Sequence, residues 1–180
     1  MRIAGIIAGV VMAATAVTGV WAAGGQEAAE KAAVEIINMR SSLAKTFIQP
    51  DIAVTEETFK KVCGAVGRRV KELTETGLVV RHAATRNRNP VNAATPEEEE
   101  LIRRFEADKG LGSITRGAER DGKKYYSFTK PIYVEQVCLA CHGDKNKMPG
   151  FITEKYPVDK AYGFKEGDLR GIITVTAPLD

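Results

Sequence analysis

Apolar residues recur with the period of a helix over two segments in the first half of the chain. In the first, residues 26–48, the repeat places these residues on one face: Val34, Ile37, Ser41, Ala44 and Ile48. In the second, residues 55–75, the stripe consists of Phe59, Val62, Cys63, Val66, Val70 and Leu73. Spacings of three and four residues are typical of an amphipathic helix. Gly77 follows the second segment as a stop signal, so the pattern predicts two long helices.

The pattern changes to short strand-like runs in the second half. Runs of this kind occupy residues 78–85, 113–118, 124–128 and 171–177. A further helix is predicted from Thr95 to about Asp108, with Thr95 as N-cap, Pro96 at the first position and Glu98 three residues after the cap. We interpret its glutamates as structural, because they suit the positive end of the helix dipole. Helices followed by strands, with one helix inserted and a final strand, predict an α+β fold with an antiparallel sheet.

The N-terminal segment has the pattern of an export signal. Met1-Arg2 is positively charged, residues 3–23 carry no charge, and Val20-Trp21-Ala22 offers a cleavage site. Residues 1–22 are therefore predicted to be a signal peptide, or else a membrane anchor if the segment is not cleaved. Either outcome places residues 23–180, which are long enough for one domain, in the periplasm.

Charge excludes one class of partner. The chain has 26 Lys and Arg against 23 Asp and Glu, a net charge of +3, and the two signs are interspersed. A nucleic-acid partner is not predicted, because such proteins carry clustered positive charge.

The segment Cys138-Leu139-Ala140-Cys141-His142 carries the clearest chemistry in the chain. Two thiols separated by two residues can bond to the two vinyl groups of one haem, and the histidine that follows supplies an axial imidazole to iron. Structural zinc, the main alternative, needs four ligands, and the chain holds only three cysteines and two histidines. A thioredoxin-like dithiol, the other alternative, would follow a strand in a βαβ unit, and no such unit is evident in this sequence. The motif therefore predicts one covalently attached haem c, and the glycine-, proline- and lysine-rich residues 143–167 are expected to wrap around it.

The third cysteine, Cys63, lies on the apolar stripe of the second helix. Two interpretations stay open: a small packing residue, or a thiolate that binds iron opposite His142. Other residues considered for that position are Met39, His82 and Met148, although Met148 is only six residues beyond His142.

Several motifs together resemble a known family. They are CLACHG at 138–143, Tyr156-Pro157-x-Asp159, AYGFKEGDLRG at 161–171, and RNPVN at 88–92 before an acidic helix. The chain resembles PAS-like periplasmic sensor domains that contain c-type haem. The resemblance implies a PAS-like fold in which an antiparallel sheet is flanked by helices. It also implies one covalent haem. The second axial ligand of its iron would be a cysteine, at the position of Val62-Cys63.

The arginines before the acidic helix are a second group of interest. Arg81, Arg86 and Arg88 are candidates to bind the haem propionates, because guanidinium pairs well with carboxylate; a solvated loop is the alternative. Arg81-His82 also matches an arginine-rich strand start in the family, which makes His82 a weaker ligand candidate.

The expected function is that of an exported monohaem c-type cytochrome, acting in redox sensing or electron transfer, with iron held by His142 and Cys63. A six-coordinate iron has no open position for a substrate, so an enzyme is not expected. The expected partner is a periplasmic redox protein or a separate signalling protein, with membrane contact only through an uncleaved N-terminus. Two alternatives remain: a gas sensor in which Cys63 leaves the iron, and a peroxidase-like enzyme that uses His82.

Overall fold

The computed structural model describes residues 18–179, with side chains from Gly24 onward. The predicted signal peptide or anchor, residues 1–22, therefore falls outside the part of the chain whose side chains are described. Within the described part, no helix combines the length and the apolar character needed to cross a membrane.

The first helix, α1, spans Thr18–Phe47 and packs on the sheet through small residues. Its buried positions are Ala29, Ala32, Ala33, Ile36 and Ala44. The predicted helix is present, but the predicted face was partly wrong, because Val34 is 39% exposed. Alanines on the buried side let the helix axis approach the strands closely. In this packing Val34 lies on the solvent-exposed side of the helix.

The second predicted helix is present but is not uniform. It begins at Thr55, whose hydroxyl accepts a hydrogen bond from the Thr58 amide at 3.1 Å. Helix α2 spans Glu56–Phe59, a π-helical turn covers Lys60–Gly64, and α3 spans Ala65–Glu75. The predicted stop follows, since Gly77 has a φ of 93°. A π-turn widens the helix by one residue and often marks a functional position.

The strands form one antiparallel sheet in the order β1-β4-β3-β2. They are β1 (Val79–Ala83), β2 (Ile114–Arg120), β3 (Lys123–Tyr133) and β4 (Leu169–Pro178). Helices α1 and α3 pack with Phe128, Ile132, Ile173 and Val175 in the main core. The α+β class with an antiparallel sheet is therefore confirmed.

A second core lies around α4, which spans Pro96–Ala107. Its capping box is formed as predicted, with Thr95 and Glu98 bonded reciprocally. Phe105 is fully buried and packs in one cluster with Ile172 of β4 and Ala83 of β1. The cluster also contains Ile114 of β2, so α4 packs with residues from both edges of the sheet.

The connection from β3 to β4 has no strand and contains the CxxCH motif. It consists of 3₁₀ turns at Gln136–Cys138 and Lys145–Lys147, together with the short helices α5 (Leu139–His142) and α6 (Gly150–Lys155). Val134, Ala161 and Phe164 form a small core beneath it, against which Cys138 and Leu139 pack. This core holds the motif beside the sheet.

Candidate functional site

Two adjoining cavities, of about 460 and about 110 Å³, lie between α1, the α2–α3 segment, the sheet and the β3–β4 connection. Both are lined by Arg40, Cys63, Arg88, His142 and Arg170. The larger volume is within the range of about 300–1,000 Å³ that is usual for cofactor sites. Residues that are far apart in the sequence therefore meet at one place.

The two motif cysteines reach this site from a single turn. Cys138 and Cys141 are free thiols, and both line the smaller cavity. Burial raises the pKa of Cys141 to about 11, and burial also raises that of Cys138. Within residues 24–179, no three His, Cys, Asp or Glu side chains are grouped as ligands of a metal ion.

His142 is held as a neutral imidazole with one nitrogen available. Its Nδ1 lies 2.7 Å from the carbonyl oxygen of Ala161. A carbonyl only accepts, so Nδ1 carries the proton and Nε2 keeps a lone pair. Burial, followed by the charges of Arg170 and Arg88, holds the pKa of His142 well below its usual range. A hydrogen bond from the other ring nitrogen is the usual way in which a protein orients a metal-binding histidine.

Cys63 lies in the π-turn and lines both cavities. Its neighbours on the predicted stripe, Val62 and Val66, are buried, whereas the Cys63 side chain is exposed to the cavity space. The surrounding protein still removes much of the bulk water, so burial raises the pKa of the thiol, opposed by the charge of Arg40. The structure thus brings Cys63 and His142 to the same space from different elements.

Two arginines at the site were missed by the sequence reasoning. Arg40 of α1 donates to Nε2 of His82 at 2.8 Å, and Arg170 of β4 donates to the carbonyl of Arg86 at 3.0 Å. Among the described residues neither guanidinium forms an ion pair with a carboxylate. Burial lowers the pKa of both, that of Arg170 to about 10. The signal for Arg40 was present, because it lies one turn after Ile36 and one turn before Ala44 on a buried helix face.

The three predicted propionate ligands lie in different surroundings. Arg81 points away from the cavities and bonds to Glu98 at 2.9 Å and to the carbonyls of Val91 and Ala93. Arg86 stacks on Phe164, with its guanidinium carbon 3.8 Å from the ring centroid. The β1 residues that line the larger cavity are His82 and Ala83, whereas Arg81 lines neither cavity. The structure does not bring Arg81 to the site.

Arg88 lines both cavities but is already engaged by protein groups. Its Nε donates to Asp159 at 2.9 Å, and its Nη2 donates to the Cys141 carbonyl at 2.5 Å. Nη2 also lies 3.4 Å from the sulfur of Met148. Its guanidinium is therefore occupied by the loop that carries His142.

The remaining histidine and methionine candidates have other contacts. His82 is neutral, because burial and Arg40 lower its pKa to about 3, and its Nε2 accepts the hydrogen bond from Arg40. Met39 packs against the main core. Of the four candidates for the position opposite His142, Cys63 is the one exposed to the cavity without a hydrogen bond from another side chain among the described residues.

Comparison with known proteins adds a family to this geometry. Residues 23–178 match the family model described as Tll0287-like, and no curated protein matches the chain. Among solved structures, the chain is similar to the cyanobacterial heme-protein Tll0287. The two are 38% identical over 83% of this chain and 91% of that chain, with a TM-score of 0.72. The extent of the family match and the shared fold show that this chain belongs to the Tll0287-like family.

Proposed function

We propose that the protein is a c-type haem protein that acts in redox sensing or electron transfer. The observation that carries this proposal is the meeting of Cys138, Cys141, His142 and Cys63 on the smaller cavity. Arg40 and Arg170 also line that cavity, and neither has a carboxylate partner among the described residues. The related solved structure is that of a cyanobacterial heme-protein, which supports the same class of cofactor.

The motif supplies the attachment chemistry. Cys138 and Cys141 are the residues that would hold the haem, each thiol adding across one vinyl group. Sulfur would bond to carbon and the thiol hydrogen would pass to the neighbouring carbon, so no separate oxidant would be needed. His142 offers Nε2 to the iron because Ala161 holds the proton on Nδ1. Bound haem supplies the one-electron couple of its iron.

The positively charged side chains that line the cavity also fit a haem. Haem carries two propionates, and Arg40 and Arg170 are two cavity-lining guanidinium groups without a carboxylate partner among the described residues. A buried charge is costly unless it is paired, so a pair of anions in this cavity would satisfy both. We therefore assign the propionate contacts to Arg40 and Arg170 in place of Arg81.

The second iron ligand is proposed to be the Cys63 thiolate. Its pKa is raised by burial, so the free thiol is protonated, and coordination to a cation is what favours the deprotonated form. An anionic sulfur donates charge to iron and stabilises the ferric state, so a low midpoint potential is expected. The proposed location is the periplasm, with a separate redox or signalling protein as partner.

The gas sensor remains the second candidate function, because Cys63 lies on a π-turn, a feature that often marks a functional position, and lines both cavities. Reduction removes a positive charge from iron and weakens its hold on an anionic sulfur. A carrier keeps both ligands in both oxidation states, whereas a sensor gains a second state. The peroxidase alternative is disfavoured, since the Nε2 of His82 is engaged by Arg40.

Haem attachment is tested on the purified protein. Mass spectrometry should find one haem added to the chain, and the haem should remain after acid–acetone extraction. Haem that extracts freely would refute covalent attachment, and zinc in its place would refute the haem assignment.

The ligand is tested with Cys63→Ser and, as a matched control, Thr58→Ser on the preceding turn. Cys63→Ser should keep covalent haem, alter the ferric spectrum and raise the midpoint potential, because an anionic donor is lost. An unchanged spectrum would leave Cys63 as a packing residue. Carbon monoxide binding to the reduced wild-type protein then separates sensor from carrier: an adduct supports displacement of Cys63, and its absence supports a carrier.

A further inference from the structure

Behind His142 lies a buried ion pair that the attachment motif does not require. Arg88 and Asp159 are joined at 2.9 Å, and their side chains are only 9% and 4% exposed. They come from the loop after β1 and the segment after α6, 71 residues apart in sequence. Breaking a buried pair by removing one partner is strongly destabilising, so such pairs need a specific geometry.

Asp159 also fixes the residue whose carbonyl holds His142. Its second oxygen, Oδ1, accepts a hydrogen bond from the amide of Ala161 at 2.7 Å. The carbonyl of the same residue, Ala161, accepts the Nδ1 proton of His142 at 2.7 Å. The carboxylate therefore determines where the acceptor of the imidazole lies.

Arg88 completes the arrangement from the other side. Its Nη2 donates to the Cys141 carbonyl at 2.5 Å and to the Ala161 carbonyl at 3.4 Å. The same nitrogen lies 3.4 Å from Nδ1 of His142, and both nitrogens carry protons, so this contact is not a hydrogen bond. The cation thus shares the acceptor of the imidazole and stands beside the ring.

We infer that Arg88 and Asp159 are positioning residues that set the basicity of His142, and through it the iron potential. This inference rests on the proposed function. Asp159 keeps Ala161 in place, so that Nδ1 stays protonated and Nε2 faces the iron. Arg88 draws electron density from the Ala161 carbonyl and opposes any negative charge on the ring, which disfavours ferric iron. The two residues therefore act in opposite directions on the same ligand.

The opposite directions supply the test. Arg88→Gln removes the cation and should lower the midpoint potential. Asp159→Asn leaves Arg88 uncompensated and should raise it. A unit charge this close to the site should change the ferric–ferrous equilibrium by roughly tenfold, which is about 59 mV for one electron. The double variant carries Gln at 88 and Asn at 159, so it loses one positive and one negative charge and has the same net charge as the wild type. Its potential should therefore return toward the wild-type value.

An ion pair that lines neither cavity provides the control. Arg69 and Glu35 are joined at 2.5 Å between α3 and α1, and both are more exposed than the site pair. Arg69→Gln and Glu35→Gln change the net charge by the same amounts and should leave the potential nearly unchanged. If Arg88→Gln does not accumulate as holoprotein, the midpoint potential of Asp159→Asn alone tests the inference. That substitution preserves the side-chain volume.

Two outcomes overturn the inference. One is a potential that moves no more in the Arg88 and Asp159 variants than in the Arg69 and Glu35 variants. The other is a shift of the same sign in both single variants, which would indicate general loosening of the loop. Failure of the proposed function looks different, because wild-type protein would then carry no covalent haem and have no iron potential to measure.

Discussion

A single methyl group at Gly171 should weaken both the sheet and the cavity wall. Gly171 lies in β4 beside Arg170, lines the larger cavity, and has a φ of 150°, which residues with a side chain rarely adopt. A Cβ at this position would overlap the carbonyl oxygen of Ala83 and lie 3.0 Å from the Cβ of Ala84. Ala83 belongs to β1, so the overlap would push the edge strand away from β4.

The cost of Gly171→Ala follows from these two effects. Holding a residue in a sparsely populated backbone region costs about 1–3 kcal/mol of folding free energy. Overpacking against neighbours that cannot yield costs about 1–3 kcal/mol more. The free energy of unfolding should therefore fall by about 2–6 kcal/mol, a large share of the roughly 5–15 kcal/mol that a domain possesses.

Urea unfolding of the holoprotein measures this loss, with Gly117→Ala as the matched control. Gly117 lies in β2, and a Cβ there would meet open space. Alanine is usually favoured over glycine in a strand by about 0.5–1 kcal/mol, so the control should be neutral or slightly stabilising. Equal midpoints and slopes for the two variants would refute the steric argument.

Three further results are expected. Phe105→Ala removes a fully buried ring from the α4 core and should cost about 3–5 kcal/mol in urea unfolding; a loss below 1 kcal/mol would mean that the cluster collapses to fill the space. Thr95→Ala breaks the capping box and should cost about 0.5–2 kcal/mol, whereas Thr95→Ser should restore most of it. Arg170→Gln and Arg40→Gln each remove a cation from the cavity and should lower the iron midpoint potential in a spectroelectrochemical titration; unchanged potentials would contradict the propionate assignment.

Features specified within a few residues were predictable from the sequence. The capping box of α4 needs only Thr95 and Glu98, three positions apart, and it is formed as expected. Cys138, Cys141 and His142 fall within one turn, so their proximity required no knowledge of the fold. The period of the apolar positions gave the helices and the strands, and with them the α+β class, because each period is a local property of the backbone.

Which side chains face the cavity and which face solvent depended on tertiary structure. Whether Arg81 or His82 faces the cavity depends on the register and orientation of β1, and a one-residue shift reverses the two. Val34 is exposed because of the way α1 crosses the sheet, which no helical period specifies. The π-turn at Cys63 likewise departs from the regular repeat used to predict that helix.

The site itself shows the same division. The local spacing of Cys138, Cys141 and His142 brings their side chains together, and it is the basis of the proposed haem attachment. The environment of His142 came from Arg88 and Asp159, which meet only when the loop after β1 closes on the segment after α6. Short-range spacing fixes which atoms can react together, because the chain itself limits their separation. Which charges surround them was decided only by packing, because burial brings together segments whose positions along the chain are independent.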